Sequence, residues 1–303
     1  MISYKRRIAL VALGLVLLFA LASAQVPEFG GCLDLGLIEL EAISEASGMA
    51  ASQKNQGVLW VHNDSGDTNR VFAFNASGEH LGIFMISGAS ARDWEDMALG
   101  PGPEEGKDYL YIGDIGDNGG QHDFKYIYRV PEPIVEANQS PVELTLDGAA
   151  IITFQYPDGK RDAETLMIDP RTNDLYVVSK REANVRVYRA TFPQSTSETI
   201  MLEHVTNLPF GGAVAGDISR AGDEILIKTY DAVYYWKRGP EQSMAQALSQ
   251  APARVPYVTE PQGEAVCWHP EGRGYYTMSE EFQNIPSRLY FYTRLNSTEV
   301  LNK

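Results

Sequence analysis

"WEDMALGP", residues 94–101, decides the fold, because the chain says it again. Glu95 is followed six residues later by Pro101. The same spacing joins Glu164 to Pro170 in "AETLMIDP" and Glu264 to Pro270 in "GEAVCWHP". Two looser copies, "SEASGMAAS" and "GDISRAGD", align on Glu45 and Asp217. Successive acids then lie 50, 69, 53 and 47 residues apart, and the longest interval holds an insertion, "PEPIVEANQSPVELTLDG". Self-similarity at such a period marks a repeat architecture.

Each acid opens the same succession of segments. A turn leads to an apolar, aromatic-rich run: "GVLWVHND", "DYLYIGDI", "DLYVVSKR", "EILIKTYD" or "GYYTMSEE". A third run follows: "NRVFAFN", "KYIYRVP", "NVRVYRA", "AVYYWKR" or "RLYFYTR". The first four units add "LGIFMIS", "AIITFQYP", "IMLEHVT" and "ARVPYVT". These runs are short, rich in β-branched and aromatic residues, and bounded by Gly, Pro, Asn and Asp, so they read as strands. Units of about 50 residues with four strands are the blades of a β-propeller. The fifth unit lacks a fourth strand, and the N-terminal "LDLGLIELEAI" is a spare one that would complete it and close the ring. The expectation is therefore an all-β, five-bladed propeller over about residues 33–296. Six blades is the alternative, should residues 131–150 fold as extra strands. Only "EQSMAQALSQA", residues 241–251, looks helical, and it reads as a loop excursion.

The N-terminus belongs outside that fold. A basic head, Lys5, Arg6 and Arg7, precedes the apolar run "IALVALGLVLLFALA" and small residues at Ala22 and Ala24. This is the pattern of a secretory signal peptide cut after Ala24, which leaves residues 25–303 as one domain. The apolar run is short for a membrane span. The protein is thus expected outside the cytoplasm: secreted or extracellular, and periplasmic in a bacterium. Against 40 acidic residues stand 25 basic ones, and loss of the three N-terminal cations takes the net charge to about −18. Such a surface repels nucleic acid and anionic membranes and attracts cations. Two cysteines, Cys32 and Cys267, can form one disulfide in an oxidising compartment or remain two thiols. Sequons at Asn63, Asn75, Asn138 and Asn296 would make a glycoprotein only in a eukaryote.

Propeller symmetry places Glu45, Glu95, Glu164, Asp217 and Glu264 near the start of the innermost strands, at one mouth of the channel. The second strands return to that face and bring Asn63, Asp64, Asp114, Asp117, Asn118, Lys180, Arg181 and Glu280. Converging carboxylates repel unless protonated or neutralised. Oxygen ligands without converging His or Cys favour Ca²⁺ over zinc. The other reading is that these acids accept hydrogen bonds from the next blade's backbone and staple the ring; the two can hold for different acids. Arg92 and Arg161 precede ring acids in "RDWE" and "KRDAE", where they can clamp an anion or pair with neighbouring acids. His62 is a candidate general base or a polar strand cap. "GDIGDNGG" has the composition of a calcium loop without EF-hand spacing, and no G-x-S-x-G elbow, HExxH or P-loop occurs.

Two resemblances accompany these residues. The motifs "WEDMA", "GDIGDN" and "QGEA" run through a pattern covering nearly the whole mature chain that resembles a family of secreted β-propeller-like proteins. That resemblance implies a fold and secretion, and no reaction. The five-bladed ring with inner-strand acids is also similar, in architecture and short motifs, to the calcium-dependent nucleotidases, or secreted apyrases. It implies Ca²⁺ in the channel near Glu45, Glu95, Glu164 and Glu264, and hydrolysis of nucleoside di- and triphosphates. Six-bladed calcium lactonases share the acid-and-asparagine channel but not the blade count. Two functions stay open. One is a calcium-binding extracellular or matrix protein whose acidic mouth takes an anionic small molecule, a glycan or a protein. The other is a Ca²⁺-dependent hydrolase of phosphate esters, nucleotides or lactones.

Overall fold

The structure, a computed structural model, describes residues 26–295. The segment read as a signal peptide and the sequon at Asn296 lie outside the described residues.

Five small sheets stand around a central channel. The chain enters with β1 (Phe29–Leu37) and then builds blade 1 from β2 (Ala46–Ala51), β3 (Val58–Asn63), β4 (Arg70–Asn75) and β5 (His80–Ile86). Blade 2 starts with β6 (Trp94–Pro101), β7 (Asp108–Asp114) and β8 (Lys125–Pro131). The chain then makes β9 (Val142–Leu146) and returns to blade 2 with β10 (Ala150–Gln155). Blade 3 is β11 (Ala163–Ile168), β12 (Leu175–Ser179) and β13 (Arg186–Ala190); β14 (Ile200–Met201) and β15 (Glu203–Asn207) follow. Blade 4 is β16 (Ala213–Ile218), β17 (Glu224–Thr229), β18 (Val233–Lys237) and β19 (Ala253–Val255), with α1 (Met244–Leu248) between its last two strands. Blade 5 is β20 (Gly263–Trp268), β21 (Gly274–Ser279) and β22 (Arg288–Arg294), completed by β1.

Five blades and closure by the N-terminal strand are as the repeat implied, and the six-bladed alternative falls. The insertion makes no blade of its own. Its one strand, β9, pairs in parallel along β5 and becomes the outer edge of blade 1. The segment "IMLEHVT" also divides: β14 pairs in parallel with β10 of blade 2, while β15 caps blade 3.

Burial explains the strand composition. Strands near the channel are covered on both faces, so they read as unbroken apolar runs, as in β3, "VLWVHN", where every residue is buried. Further out the pattern alternates, as in β10, where exposure returns at every second or third residue. Between blades the sheets pack through large side chains: Trp60 and Phe84 of blade 1 against Trp94 and Tyr128 of blade 2, for example. Each such ring contributes about 1.5–3 kcal/mol when fully buried.

Cys32 and Cys267 are both free thiols. They share blade 5, but Cys32 lies on its outermost strand and Cys267 on its innermost. Three strand spacings, roughly 14 Å, separate those strands. A disulfide needs Cα atoms within roughly 7 Å.

A carboxylate cluster at one channel mouth

Strand register defines which residues are equivalent. Every inner strand carries the same irregularity near its start, where two residues stand opposite one on the second strand: Ala46↔Asn63 then Met49↔Val61, and Trp94↔Asp114 then Met97↔Ile112. Blades 3, 4 and 5 repeat it from Ala163↔Ser179, Ala213↔Thr229 and Gly263↔Ser279. The first bulged residue is Ser47, Glu95, Glu164, Val214 and Glu264 in blades 1 to 5. The mouth therefore does not carry a ring of five equivalent acids. Glu45 lies two residues ahead of its ring position and is exposed. Asp217 lies three residues past its own, deeper along β16.

Two further tiers complete the mouth. Two residues before the ring position stand Glu45, Asp93, Asp162, Gly212 and Gln262. Just after each second strand stand Asp64, Ile115, Lys180, Tyr230 and Glu280. Blade 4 contributes Gly212, Val214 and Tyr230, and so no acid. The acids form an arc over blades 5, 1, 2 and 3.

Within that arc, three carboxylate triads have ligand oxygens within 4.8 Å of one another: Asp64 with Glu264 and Glu280, Asp64 with Asp93 and Glu95, and Glu95 with Asp162 and Glu164. Glu95, Asp162, Glu164, Glu264 and Glu280 are all buried. Burial, then the charges of Glu164, Asp64 and Asp93, holds the Glu95 carboxyl well above the usual carboxylate range. Burial raises Asp64 to about 6 and Glu164 to about 8, the latter against the pull of Lys180. Glu280 is pushed up to about 10 by burial and by its neighbour Glu264.

Cations and donors occupy one side. Lys180 pairs with Glu164 and donates to Tyr230 Oη at 3.0 Å. Tyr230 Oη in turn donates to Glu264. Arg181 pairs with Asp162, lies 3.8 Å from Glu164 and donates to Asn118. Gln262 donates to Glu280.

Other expected binders are engaged elsewhere. Arg161 pairs with Asp158 at 3.0 Å and Glu182 at 2.6 Å. Arg92 lies 3.3 Å from Asp114, whose Oδ1 also accepts from the Asp93 amide. The Asp117 carboxylate is spent within its own loop: it accepts from the Gln121 and His122 amides and pairs with buried Lys125 at 2.8 Å. Asn63 donates to Ala42 and Asp67 and accepts from Glu45, so this sequon's amide is buried and occupied. His62 is fully buried, edge-on to Trp94, with burial lowering it to about 4; it is a packed side chain and no base at the mouth.

Below the mouth, acids do staple the ring. Asp96 accepts from the amides of Met97, Leu166 and Gly216, in blades 2, 3 and 4. Asp217 accepts from Ile218 and, in the next blade, from Trp268 at 2.8 Å. Asp217, whose two carboxylate oxygens each accept a backbone amide, therefore belongs with the staples and not with the mouth acids. Asp93, Asp162 and Tyr230 are mouth residues that alignment on the ring acids passes over. The first two could have been found, since "RDWE" and "RDAE" place an aspartate two residues before each ring acid.

Fold and site together define a five-bladed β-propeller with a buried carboxylate cluster at one end of its channel. No protein-family model matches the chain, and comparison with curated proteins finds no match. Among solved structures, the chain is similar to one titled "Kuenenia stuttgartiensis Hydrazine Synthase", with a TM-score of 0.43 and 13% identity over 84% of this chain and 96% of that one. At that distance the likeness carries nothing about chemistry. Among the described residues, no helix is long and apolar enough to cross a membrane.

Proposed function

We infer that this is a secreted calcium-binding β-propeller whose acidic mouth is a binding face for an extracellular partner. The observation that carries this is the run of three overlapping carboxylate triads, buried enough that their charges need a counter-ion. Oxygen-only donors on several strands suit Ca²⁺, which takes 6–8 oxygens at roughly 2.3–2.6 Å and tolerates irregular geometry. Glu95, Asp93, Asp64, Glu164, Glu264 and Glu280 are the carboxylates within reach of such an ion. A bound cation also suits a face that meets a glycan, a protein or a small anion, because it turns a repulsive surface into an anchor. The N-terminal pattern and the strongly negative charge of the mature chain support an extracytoplasmic setting.

A second reading, a Ca²⁺-dependent hydrolase of phosphate esters, nucleotides or lactones, draws on one feature: Lys180 and Arg181 stand beside the carboxylates, where they could hold an anion. Both cations are already paired with acids, and no histidine belongs to the cluster, so binding is the better-supported function. Purified protein assayed against nucleotides, phosphomonoesters and lactones, with calcium and then with chelator, decides between them. Calcium-dependent turnover of any of these would overturn the binding-only reading.

A further inference from the structure

We propose that the mouth holds one calcium ion, at Asp64, Asp93 and Glu95, and that Lys180 is a built-in counter-cation that closes the neighbouring triad to metal. This deepens the calcium reading and rests on it. The three triads look alike as clusters of acids, but the groups around them differ.

In the triad of Glu95, Asp162 and Glu164, two acids are already occupied. Lys180 takes Glu164, and Arg181 takes Asp162, whose other oxygen accepts from the Asp117 amide at 2.8 Å. In the triad of Asp64, Glu264 and Glu280, Tyr230 donates to Glu264 and Gln262 donates to Glu280. The middle triad differs. The Glu95 side chain is only 2% exposed, yet among the described residues its carboxylate has no hydrogen bond and no ion pair. The Asp93 carboxylate is equally unpartnered there, and Asp64 accepts only from the Ser65 amide. A buried carboxylate facing two others with no cation in direct contact is costly. A divalent ion removes that cost.

The backbone leaves room for this arrangement. Gly116 crosses directly over the middle triad, where a Cβ would meet Glu95 Oε1 at 2.1 Å and Asp93 at 2.5 Å. Only glycine lets the loop pass while both carboxylates keep their place.

Lys180 holds its position from two sides. Its ammonium lies between Glu164 and the Tyr230 hydroxyl, and Tyr230 comes from the one blade without a mouth acid. A lysine there takes the place that a second ion would fill. Its removal should leave Glu164 with only the longer Arg181 contact, at 3.8 Å, and open a second cation site, with Glu95 shared between the two ions.

The test is calcium stoichiometry on the full mature chain, by equilibrium dialysis and titration calorimetry with Ca²⁺ alone. Wild type should bind one ion and Lys180→Met two. Asp93→Asn and Glu95→Gln should each weaken binding at least a hundredfold. The double variant Glu164→Gln/Lys180→Met, which removes the pair together, should still bind one ion within about fivefold of wild-type affinity, and it keeps the test alive if Lys180→Met alone does not fold. One ion in both wild type and Lys180→Met, two or more in wild type, or lost binding in the double variant would each overturn the proposal while leaving calcium binding intact. No ion in wild type would overturn the calcium reading itself.

Discussion

The carboxylate of Asp96 accepts a hydrogen bond from the amide of Gly216, 120 residues further along the chain, at 3.2 Å. The same side chain takes the Leu166 amide at 2.9 Å, so one aspartate ties together three blades at the channel wall. Asp96→Ala should leave three buried amides without an acceptor. At about 1–3 kcal/mol for each orphaned group, the loss should be roughly 3 kcal/mol or more. Urea unfolding measures it. Calcium should still raise the melting temperature of whatever folded variant remains, because this residue is a staple and not a ligand.

Chelation should have the opposite profile. A ligand bound at a hundredfold excess over its dissociation constant stabilises by about 2.7 kcal/mol. For a domain of this size that is roughly 5–10 °C in melting temperature. EDTA should remove that increment from wild type and remove nothing from Glu95→Gln. Glu104→Gln is the control, since Glu104 is an exposed acid paired with Lys107 at 2.6 Å, and its response should equal wild type. A melting curve indifferent to EDTA, with no metal in native protein, would reduce the whole cluster to structure.

Stability of the metal-free protein should fall as pH rises through neutrality. Asp64, Asp217, Glu164 and Glu280 have carboxyls raised by burial to about 6, 7, 8 and 10. Above pH 4.5 the unfolded chain has released these protons and the folded chain has not, so the folded state binds more of them and loses ground as pH increases. His62, lowered to about 4 from 6.5, works the other way, but only below about 6.5. The clear window is therefore pH 6.5 to 8. In EDTA the urea midpoint should be lower at pH 8 than at 6.5, and saturating calcium should flatten the difference. Equal midpoints in EDTA would show that the mouth carries no strain of charge.

The two cysteines should behave as separate thiols. Denatured but unreduced protein should take two equivalents of an alkylating reagent. Native protein should react at Cys32 only, since Cys267 is fully buried. An unreduced mass two protons light would contradict the separation across blade 5.

Much of this molecule could be read from its letters. The 50-residue period exposed the blade count because each blade repeats the same strand–turn chemistry, and the missing fourth strand of the last unit pointed to closure from the N-terminus. The ring of acids was harder. Glu45 and Asp217 share a letter type with Glu95, but equivalence is set by a backbone bulge, which side-chain chemistry does not announce. A quieter signal was present: "SGMA" at 47–50 matches "EDMA" at 95–98 and puts Ser47 opposite Glu95. The destination of β9 had no local signal, because a parallel partner across a long connection is chosen by the sheet edge that happens to be free. Glu95's isolation was likewise invisible. It depends on where Lys180, Arg181, Tyr230 and Gln262 spend their hydrogen bonds, and those choices are made only in three dimensions.

The pairing of β1 with β22 has a consequence for how the protein is made. Asp34 meets Arg288 at 2.7 Å across a sequence separation of 254 residues, so the last blade cannot form until the chain through β22 has left the ribosome. Until then four blades wait as an open crescent with two unsatisfied flanks, and Glu264 and Glu280 are the last acids to reach the mouth. Contacts this distant in sequence slow folding. A circular permutant that joins the old termini by a flexible linker and opens in the exposed turn at Glu104 and Glu105 would build the closing blade from contiguous chain. It should refold faster than the natural order while reaching the same final stability.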